Sequence, residues 1–232
     1  MPQTAASGRA LKVLVVEDNE TNRIVMEELL RHLGHHVTLA VDGVEGVKLA
    51  RLQKFDVILM DLSMPQMDGW TAAAAIRQDG ASQGSKIIAV TAHARPERME
   101  RFAESGMDNW LTKPISTRAL SAALEVDPVK QVQTERTPKP DDAMIPLLDT
   151  ERLTELSSIA DAAAMQKLMD RFHTQMDKTL DAIKVGAGDV PLATLAALCH
   201  EGAGAAAVTG AKRLHGHLAR MEAACRANDR AA

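Results

Sequence analysis

The sequence predicts an α/β domain followed by an all-α domain, in which a doubly wound sheet of five parallel strands precedes a helical bundle. Three observations support this fold class. Short β-branched runs alternate with amphipathic helical patterns between residues 11 and 124, a proline-rich segment follows, and only helical periodicity is found beyond it. Strands that are each followed by a helix favour a parallel sheet covered on both faces.

The elements of the first domain are predicted from local patterns. Continuous apolar runs such as LKVLVV and KIIAVT are typical of strands buried on both faces. Apolar residues at three- and four-residue spacing indicate helices, and Pro96 suits the first turn of one of them. We expect strands at 11–16, 36–40, 55–60, 86–91 and 110–111, and helices at 19–32, 44–52, 69–77, 96–104 and 116–124.

The second domain is predicted to be an antiparallel bundle. Its helices are expected at 149–156, 162–185, 191–208 and 211–228, with Asp149 as an N-cap and with residues 186–189 ending the second helix. The segment 126–146 contains four prolines and little periodicity, which indicates an extended linker. The expected organisation is a disordered N-terminus at 1–10, the α/β domain at 11–125, the linker at 126–146 and the bundle at 147–232.

Composition excludes several classes of function. The chain has 27 basic and 31 acidic residues, a net charge of −4, so it has no basic excess for nucleic acid or an anionic membrane. Aromatic residues make up 2%, too few for base-stacking platforms. The two cysteines, Cys199 and Cys225, form no CxxC motif and are expected to be buried thiols in a reducing compartment. No signal peptide or membrane span is predicted, so we expect a cytoplasmic protein.

Polar side chains follow the predicted strands of the first domain where the strands end. Glu17 and Asp18 follow the first strand, Asp61 the third, Thr91 ends the fourth, and Lys113 follows the fifth. Ligands of open parallel sheets bind at this edge. Two like charges 4 Å apart cost about 4 kcal/mol at an effective dielectric near 20, so a proton or a cation is expected there. Carboxylate oxygens suit Mg²⁺.

This set of residues predicts phosphoryl chemistry. A carboxylate can form an acyl phosphate by in-line attack, while a metal and a lysine offset charge on the transferring group. Asp61 is then the nucleophile, and Asp18 and Glu17 hold Mg²⁺. Lys113 pairs with the phosphoryl group and Thr91 forms a hydrogen bond to it.

At these positions the chain resembles the receiver domain of bacterial response regulators. The segments VVEDNETNR, MDLSMPQMDG, AVTAH and DNWLTKPI carry the resemblance, which covers about residues 11–124. It implies a flavodoxin-like fold and an Asp61 that accepts a phosphoryl group from the phosphohistidine of a sensor histidine kinase or another phosphorelay protein. It also implies that Asp18 binds Mg²⁺ directly, Glu17 binds through water and Ser63 contributes its backbone carbonyl.

The resemblance further implies a switch pair, Thr91 and Trp110. Tyr or Phe is usual where this chain has Trp110, and a bulkier ring turns inward less easily. The Asp18-Asn19 and Asn22-Arg23 pattern resembles receivers attached to hybrid histidine kinases.

His200 is the candidate functional residue of the bundle. On a helical projection it lies a third of a turn or more from the apolar side and is surrounded by small residues, which predicts access for a large partner. The spacing of His200, Gly204 and Gly210 resembles the histidine phosphotransfer (HPt) domain, over about residues 147–227. This resemblance implies that His200 relays phosphate and that a downstream response regulator could dock there. Ala203 stands where the family has lysine.

The sequence leaves two alternatives to the relay. The bundle could dock a partner without accepting phosphate, which the Ala203 departure favours. An ordinary Mg²⁺/Asp phosphohydrolase would need a second acid two residues after its nucleophile, but position 63 is Ser. Because no glycine-rich ATP motif is found, we expect a phosphoacceptor protein with self-catalysed transfer and dephosphorylation only, not an enzyme in the ordinary sense.

Overall fold

The computed structural model describes residues 9–91, 102, 105–125 and 145–227, with the backbone alone for 185–189. The chain divides into two compact units, Met1–Glu135 and Arg136–Ala232. Most of the segment predicted to be disordered at 1–10 lies outside the described residues. So do nearly all of the helix predicted at 96–104 and of the linker predicted at 126–146.

The first unit contains a parallel five-stranded sheet, as predicted. Its strands are β1 (Lys12–Val16), β2 (His36–Ala40), β3 (Val57–Asp61), β4 (Lys86–Thr91) and β5 (Asn109–Thr112). Their order is β2-β1-β3-β4-β5, and every neighbouring pair is parallel. This is the flavodoxin-like order, which reverses direction between β1 and β3 and opens a crevice at the carboxyl ends of these two strands.

Helices cover both faces of the sheet. The described helices of this unit are α1 (Glu20–His32), α2 (Gly43–Leu52), α3 (Gly69–Gln78) and α4 (Thr117–Glu125). Leu14 and Ile58 join a buried cluster with α2 and α3, while Val13 and Leu59, which alternate with them, are equally buried. This burial of consecutive strand residues explains why the strands read as continuous apolar runs.

The second unit contains helices near the four predicted positions, α5 (Thr150–Ile159), α6 (Ala162–Asp189), α7 (Leu192–Val208) and α8 (Lys212–Arg226). Asp149 caps α5, since its side chain accepts from the Arg152 N–H. The predicted break at 186–189 is wrong, because α6 continues to Asp189. The helix ends at Val190, whose extended backbone is the conformation favoured before Pro191. Within the described ranges, no helix is long and apolar enough to cross a membrane.

Small residues on α7 allow close helix packing. A Cβ added at Gly202 would lie 3.1 Å from Leu218 Cδ1 on α8 and 3.2 Å from Thr179 Cγ2 on α6. Cys199 lies fully buried in the core cluster of this unit, as expected. Cys225 is only half-buried, contrary to expectation, because it lies near the end of α8.

Candidate functional site

The carboxyl ends of β1 and β3 bring three carboxylates together. One ligand oxygen from each of Glu17, Asp18 and Asp61 lies within 4.8 Å of the others. The register pairs Val16 with Met60, which places the residues that follow them side by side. Glu17 is 2% exposed and Asp61 3% exposed. The juxtaposition predicted from the strand ends is therefore present.

Lys113 joins the two buried carboxylates. Its Nζ lies 2.7 Å from Glu17 Oε2 and 2.7 Å from Asp61 Oδ2. The other oxygen of Asp61, Oδ1, accepts from the Ser63 N–H at 3.1 Å. The Lys113 backbone N–H donates to the Thr91 carbonyl at 2.8 Å, so β5 delivers the lysine beside the end of β4. Both oxygens of Asp61 are thus held by donors.

The pKa values of the two buried carboxyl groups, Glu17 and Asp61, are shifted in opposite directions. Burial raises the pKa of Glu17 to about 8, and the negative charge of Asp61 pushes in the same direction. Burial also favours protonated Asp61, but the charge and hydrogen bond of Lys113 outweigh it and lower the pKa of that carboxyl. Lys113 has a raised pKa despite its burial, because both carboxylates favour the ammonium form. Asp61 is therefore an ionised acceptor.

Two residues in the first turn of α1 donate hydrogen bonds to the acidic cluster. Asn22 Nδ2 donates to Glu17 Oε1 at 2.6 Å. Arg23 Nη1 donates to the carbonyls of Glu17 and Asp18, both at 2.6 Å. Asn19 caps the helix by accepting from the Asn22 N–H at 3.1 Å. The sequence signals Asn19, Asn22 and Arg23 only through the resemblance to receivers of hybrid histidine kinases, which does not say what these side chains contact.

A glycine closes the loop that follows Asp61. A Cβ at Gly69 would lie 2.1 Å from the Asp61 carbonyl oxygen. The loop folds back so that the Gly69 N–H donates to the Leu62 carbonyl at 3.3 Å, and Gln66 takes a positive φ of 64°. Any side chain at position 69 would push the loop away from β3.

The two residues of the expected switch lie on neighbouring strands. Thr91 ends β4 one residue beyond Val90, the register partner of Asp61. Trp110 on β5 is half-buried and packs edge-on against Phe102, with ring centroids 5.3 Å apart. The structure thus places Thr91 at the same sheet edge as Asp61. The Trp110 ring packs instead against the buried cluster that the sheet forms with α2 and α3.

His200 lies in the second unit, on α7, and is bonded to α8. Its Nδ1 lies 3.0 Å from Glu222 Oε1, and its side chain is 22% exposed. Glu222 also accepts from Arg226 at 2.8 Å. Burial would raise the pKa of Glu222, but the hydrogen bond and charge of His200 and the charge of Arg226 lower it. An ionised carboxylate only accepts hydrogen bonds, so this contact requires a proton on Nδ1 of His200.

Glu222 was not recognised from the sequence, although a signal exists. Gly210 has a positive φ of 78° and follows the end of α7. His200 lies ten residues before this glycine and Glu222 twelve residues after it. Two antiparallel helices joined at that turn bring such positions to about the same level.

Comparisons with known proteins find relatives of the first unit. Residues 13–125 match the family model of the response regulator receiver domain. The chain is 41% identical over 118 residues to the sensor protein GacS of Pseudomonas syringae pv. syringae, covering 50% of this chain and 13% of GacS. It is 38% identical over 133 residues to hybrid signal transduction histidine kinase I of Dictyostelium discoideum, covering 54% and 8%. The chain therefore spans only a small part of the length of these relatives.

A solved receiver domain is similar to the same half of the chain. It belongs to a sensor histidine kinase of Pseudomonas aeruginosa PAO1 and holds a magnesium ion in its active-site cleft. The two are 38% identical, the match covers 50% of this chain and 96% of that one, and the TM-score is 0.47. On the family match and the sequence identity, residues 13–125 of this chain are a response regulator receiver domain.

Proposed function

We propose that the chain is a two-component phosphorelay protein in which Asp61 accepts a phosphoryl group from a phosphohistidine. The observation that carries this proposal is the position of the Asp61 carboxyl group, which lies 2.7 Å from the Lys113 ammonium and beside two further carboxyl groups. A carboxylate oxygen of Asp61 attacks phosphorus, the P–N bond of the donor breaks, and its electron pair returns to the imidazole nitrogen. The donor is a sensor histidine kinase or another phosphorelay protein.

The donor set fits Mg²⁺, because its ligands are hard carboxylate oxygens close together in space. Asp18 and Asp61 would bind the ion directly, Glu17 through water, and Ser63 through its backbone carbonyl. Bound Mg²⁺ would offset negative charge on the transferring group. The magnesium ion held by the Pseudomonas receiver domain supports this assignment.

Two further residues act on the phosphoryl group once it has transferred. Lys113 pairs with its oxygens, since the ammonium already lies 2.7 Å from Asp61 Oδ2. Thr91 forms a hydrogen bond to it, and Trp110 turns inward as Thr91 moves.

We also propose that the second unit relays phosphate through His200. Nε2 attacks the phosphorus of phosphorylated Asp61, the P–O bond breaks, and Asp61 leaves as a carboxylate. The contact between Nδ1 and Glu222 supports this role, because a carboxylate on Nδ1 fixes the orientation of the imidazole ring. A downstream response regulator would then dock at His200.

A second candidate function has its own supporting observation. Ala203, one helical turn after His200, is buried and carries no cation that could steady a phosphoryl group. The second unit would then be a docking module whose occupancy depends on the phosphorylation state of Asp61. In both cases we propose a cytoplasmic phosphoacceptor protein that acts on protein partners, with no nucleic-acid or membrane partner and no turnover of small substrates.

Labelling tests the receiver function. The full chain is incubated with a radiolabelled small acyl phosphate, with and without Mg²⁺. We expect Mg²⁺-dependent label that is released by hydroxylamine and lost in Asp61→Ala. Acid-stable label that persists in Asp61→Ala would contradict the proposal.

A complementary pair of variants separates the relay from the docking module. A His200→Gln chain is labelled on Asp61, freed of donor and mixed with a tagged Asp61→Ala chain. The relay predicts label on the tagged chain that is stable in base, as expected of phosphohistidine. The double variant Asp61→Ala/His200→Gln is the matched control and should stay unlabelled. Failure of transfer, with binding between the chains retained, would favour docking.

A further inference from the structure

We propose that Asn22 is a positioning residue that holds Glu17 in place for the metal at the acidic cluster. The inference rests on the proposed Mg²⁺ site. Asn22 is 3% exposed, and its side-chain Nδ2 donates to Glu17 Oε1 at 2.6 Å. Asn22 contacts Glu17 rather than the phosphoacceptor, so its effect must pass through that carboxylate.

The backbone around Glu17 is already fixed, which leaves only its side chain free to turn. Arg23 Nη1 bonds the carbonyls of Glu17 and Asp18, and the Glu17 N–H donates to the Ala40 carbonyl at 3.2 Å. The side-chain torsions of Glu17 are restrained by one donor on each oxygen, Asn22 on Oε1 and Lys113 on Oε2.

The two donors differ in what else they bind. Lys113 also donates to Asp61, at the same distance of 2.7 Å. A phosphoryl group on Asp61 would attract the Lys113 ammonium and draw it away from Glu17. Among the described residues, Asn22 Nδ2 donates to Glu17 alone. It therefore remains the donor that keeps Glu17 oriented, and a neutral amide does so without adding a positive charge that would repel a cation.

The amide also gives up an interaction in making this contact. Asn22 Oδ1 is buried and has no hydrogen-bond partner among the described residues. A buried acceptor without a partner is unfavourable, so an asparagine is costly here for stability alone. Orientation of a metal-site carboxylate supplies the reason for its presence.

A double-mutant cycle tests the inference on the full chain, with MgCl2 binding measured by titration calorimetry. Asn22→Leu keeps the size of the side chain and removes the donor, and we expect the Kd for Mg²⁺ to rise about tenfold, as for other residues that support metal ligands. In a Glu17→Gln background the same change should alter Kd by less than about twofold, because the residue through which Asn22 acts has already lost its charge. A general effect on folding would persist in both backgrounds.

Ser82→Ala is the matched control. Ser82 is also a fully buried polar residue, it bonds Gln53 and Phe55 near the start of β3, and its loss should lower the unfolding midpoint without changing the Kd. If Asn22→Leu does not fold, Asn22→Ala replaces it in the cycle.

The outcomes separate two failures. An unchanged Kd in Asn22→Leu, or an equal loss in the Glu17→Gln background, overturns the role of Asn22 alone. Absence of Mg²⁺ binding by the unmodified chain, or no effect of Glu17→Gln, overturns the proposed metal site itself.

Discussion

At the scale of single residues, the site is governed by one buried cation among carboxylates. Lys113 is 10% exposed in its side chain and contacts Glu17 and Asp61 at equal distances. With one positive charge on two negative ones, the burial cost is offset only in part, which is why Glu17 has a raised pKa while Asp61 has a lowered one. A metal ion would supply the missing charge.

Removal of the Lys113 ammonium should destabilise the first unit strongly. We expect Lys113→Met to lower the free energy of unfolding by about 3–5 kcal/mol, because it leaves two buried carboxylates facing each other. Urea unfolding in EDTA measures the loss, and Mg²⁺ should restore part of it. Lys12→Met, at an exposed lysine of β1, is the control and should change little. A loss below about 1 kcal/mol in EDTA would contradict this account.

The two cysteines should differ in reactivity. Burial raises the pKa of the Cys199 thiol to about 11, and the negative charges of Cys225 and Glu222 add to the effect. Roughly one thiol in a thousand is then ionised at pH 8, and the thiolate is the reactive form. We expect iodoacetamide to label Cys225 at least tenfold faster than Cys199, by mass spectrometry. Under denaturing conditions the rates should converge, and faster labelling of native Cys199 would be inconsistent with its burial.

At the scale of elements, close backbone approaches decide where glycine is required. Gly69 begins α3 against the backbone of Asp61, whereas a Cβ added at Gly84 would have nothing within 4 Å. The first glycine thus carries a packing constraint that the second does not. This constraint connects the start of a helix to the position of the phosphoacceptor.

We expect Gly69→Ala to displace the loop after Asp61. The 2.1 Å approach of a Cβ to the Asp61 carbonyl cannot be relieved by a side-chain rotation, so overpacking should cost about 1–3 kcal/mol or more. Thermal unfolding and Mg²⁺ titration measure both effects, and Mg²⁺ affinity should fall as well. The matched control, Gly84→Ala, should leave both unchanged. Normal Mg²⁺ affinity in Gly69→Ala would show that the loop tolerates the shift.

The contact between α7 and α8 should make the stability of the second unit depend on pH. Glu222 has a lowered pKa in the folded state, so its contribution is present above the ordinary value of 4.5 and is lost as pH falls through the folded value. We expect Glu222→Gln to reduce the acid sensitivity of the helical signal in this range, by circular dichroism during acid titration. Glu151→Gln, at an exposed glutamate of α5, should keep the original dependence. An unchanged acid profile in Glu222→Gln would remove Glu222 as its cause.

At the scale of the whole molecule, the two compact units can be observed separately. Both tryptophans, Trp70 and Trp110, belong to the first unit, so tryptophan fluorescence reports on it alone. The acidic cluster lies in that unit and His200 in the other. A ligand of the acidic cluster should therefore be visible by fluorescence.

Mg²⁺ should stabilise the first unit by mass action. At a concentration about 100 times its Kd, the ion should add about 2.7 kcal/mol to the free energy of unfolding. We expect the fluorescence-detected thermal midpoint to rise with Mg²⁺ and to return after chelation. Asp18→Ala should abolish the shift, since it removes a proposed ligand. An equal shift in Asp18→Ala would place the binding elsewhere.

Much of this protein follows from local sequence patterns. Apolar runs of four to six residues between amphipathic segments determine the parallel sheet, because only strands covered on both faces are apolar throughout. The carboxyl-end rule then brings Glu17, Asp18, Asp61 and Lys113 together. The end of α6 was predicted wrongly, since a glycine only weakens a helix locally whereas the residue before Pro191 is sterically driven out of it.

Contacts between distant residues were decided only by the tertiary structure. That Asn22 reaches Glu17, that Glu222 reaches His200 and that Gly69 faces the Asp61 carbonyl depends on distances across elements. The opposite pKa directions of Glu17 and Asp61 depend in addition on their common burial around one ammonium. Sequence periodicity determines which face of an element is buried, but hydrogen-bond partners are set by rotations and offsets of less than one residue between packed elements.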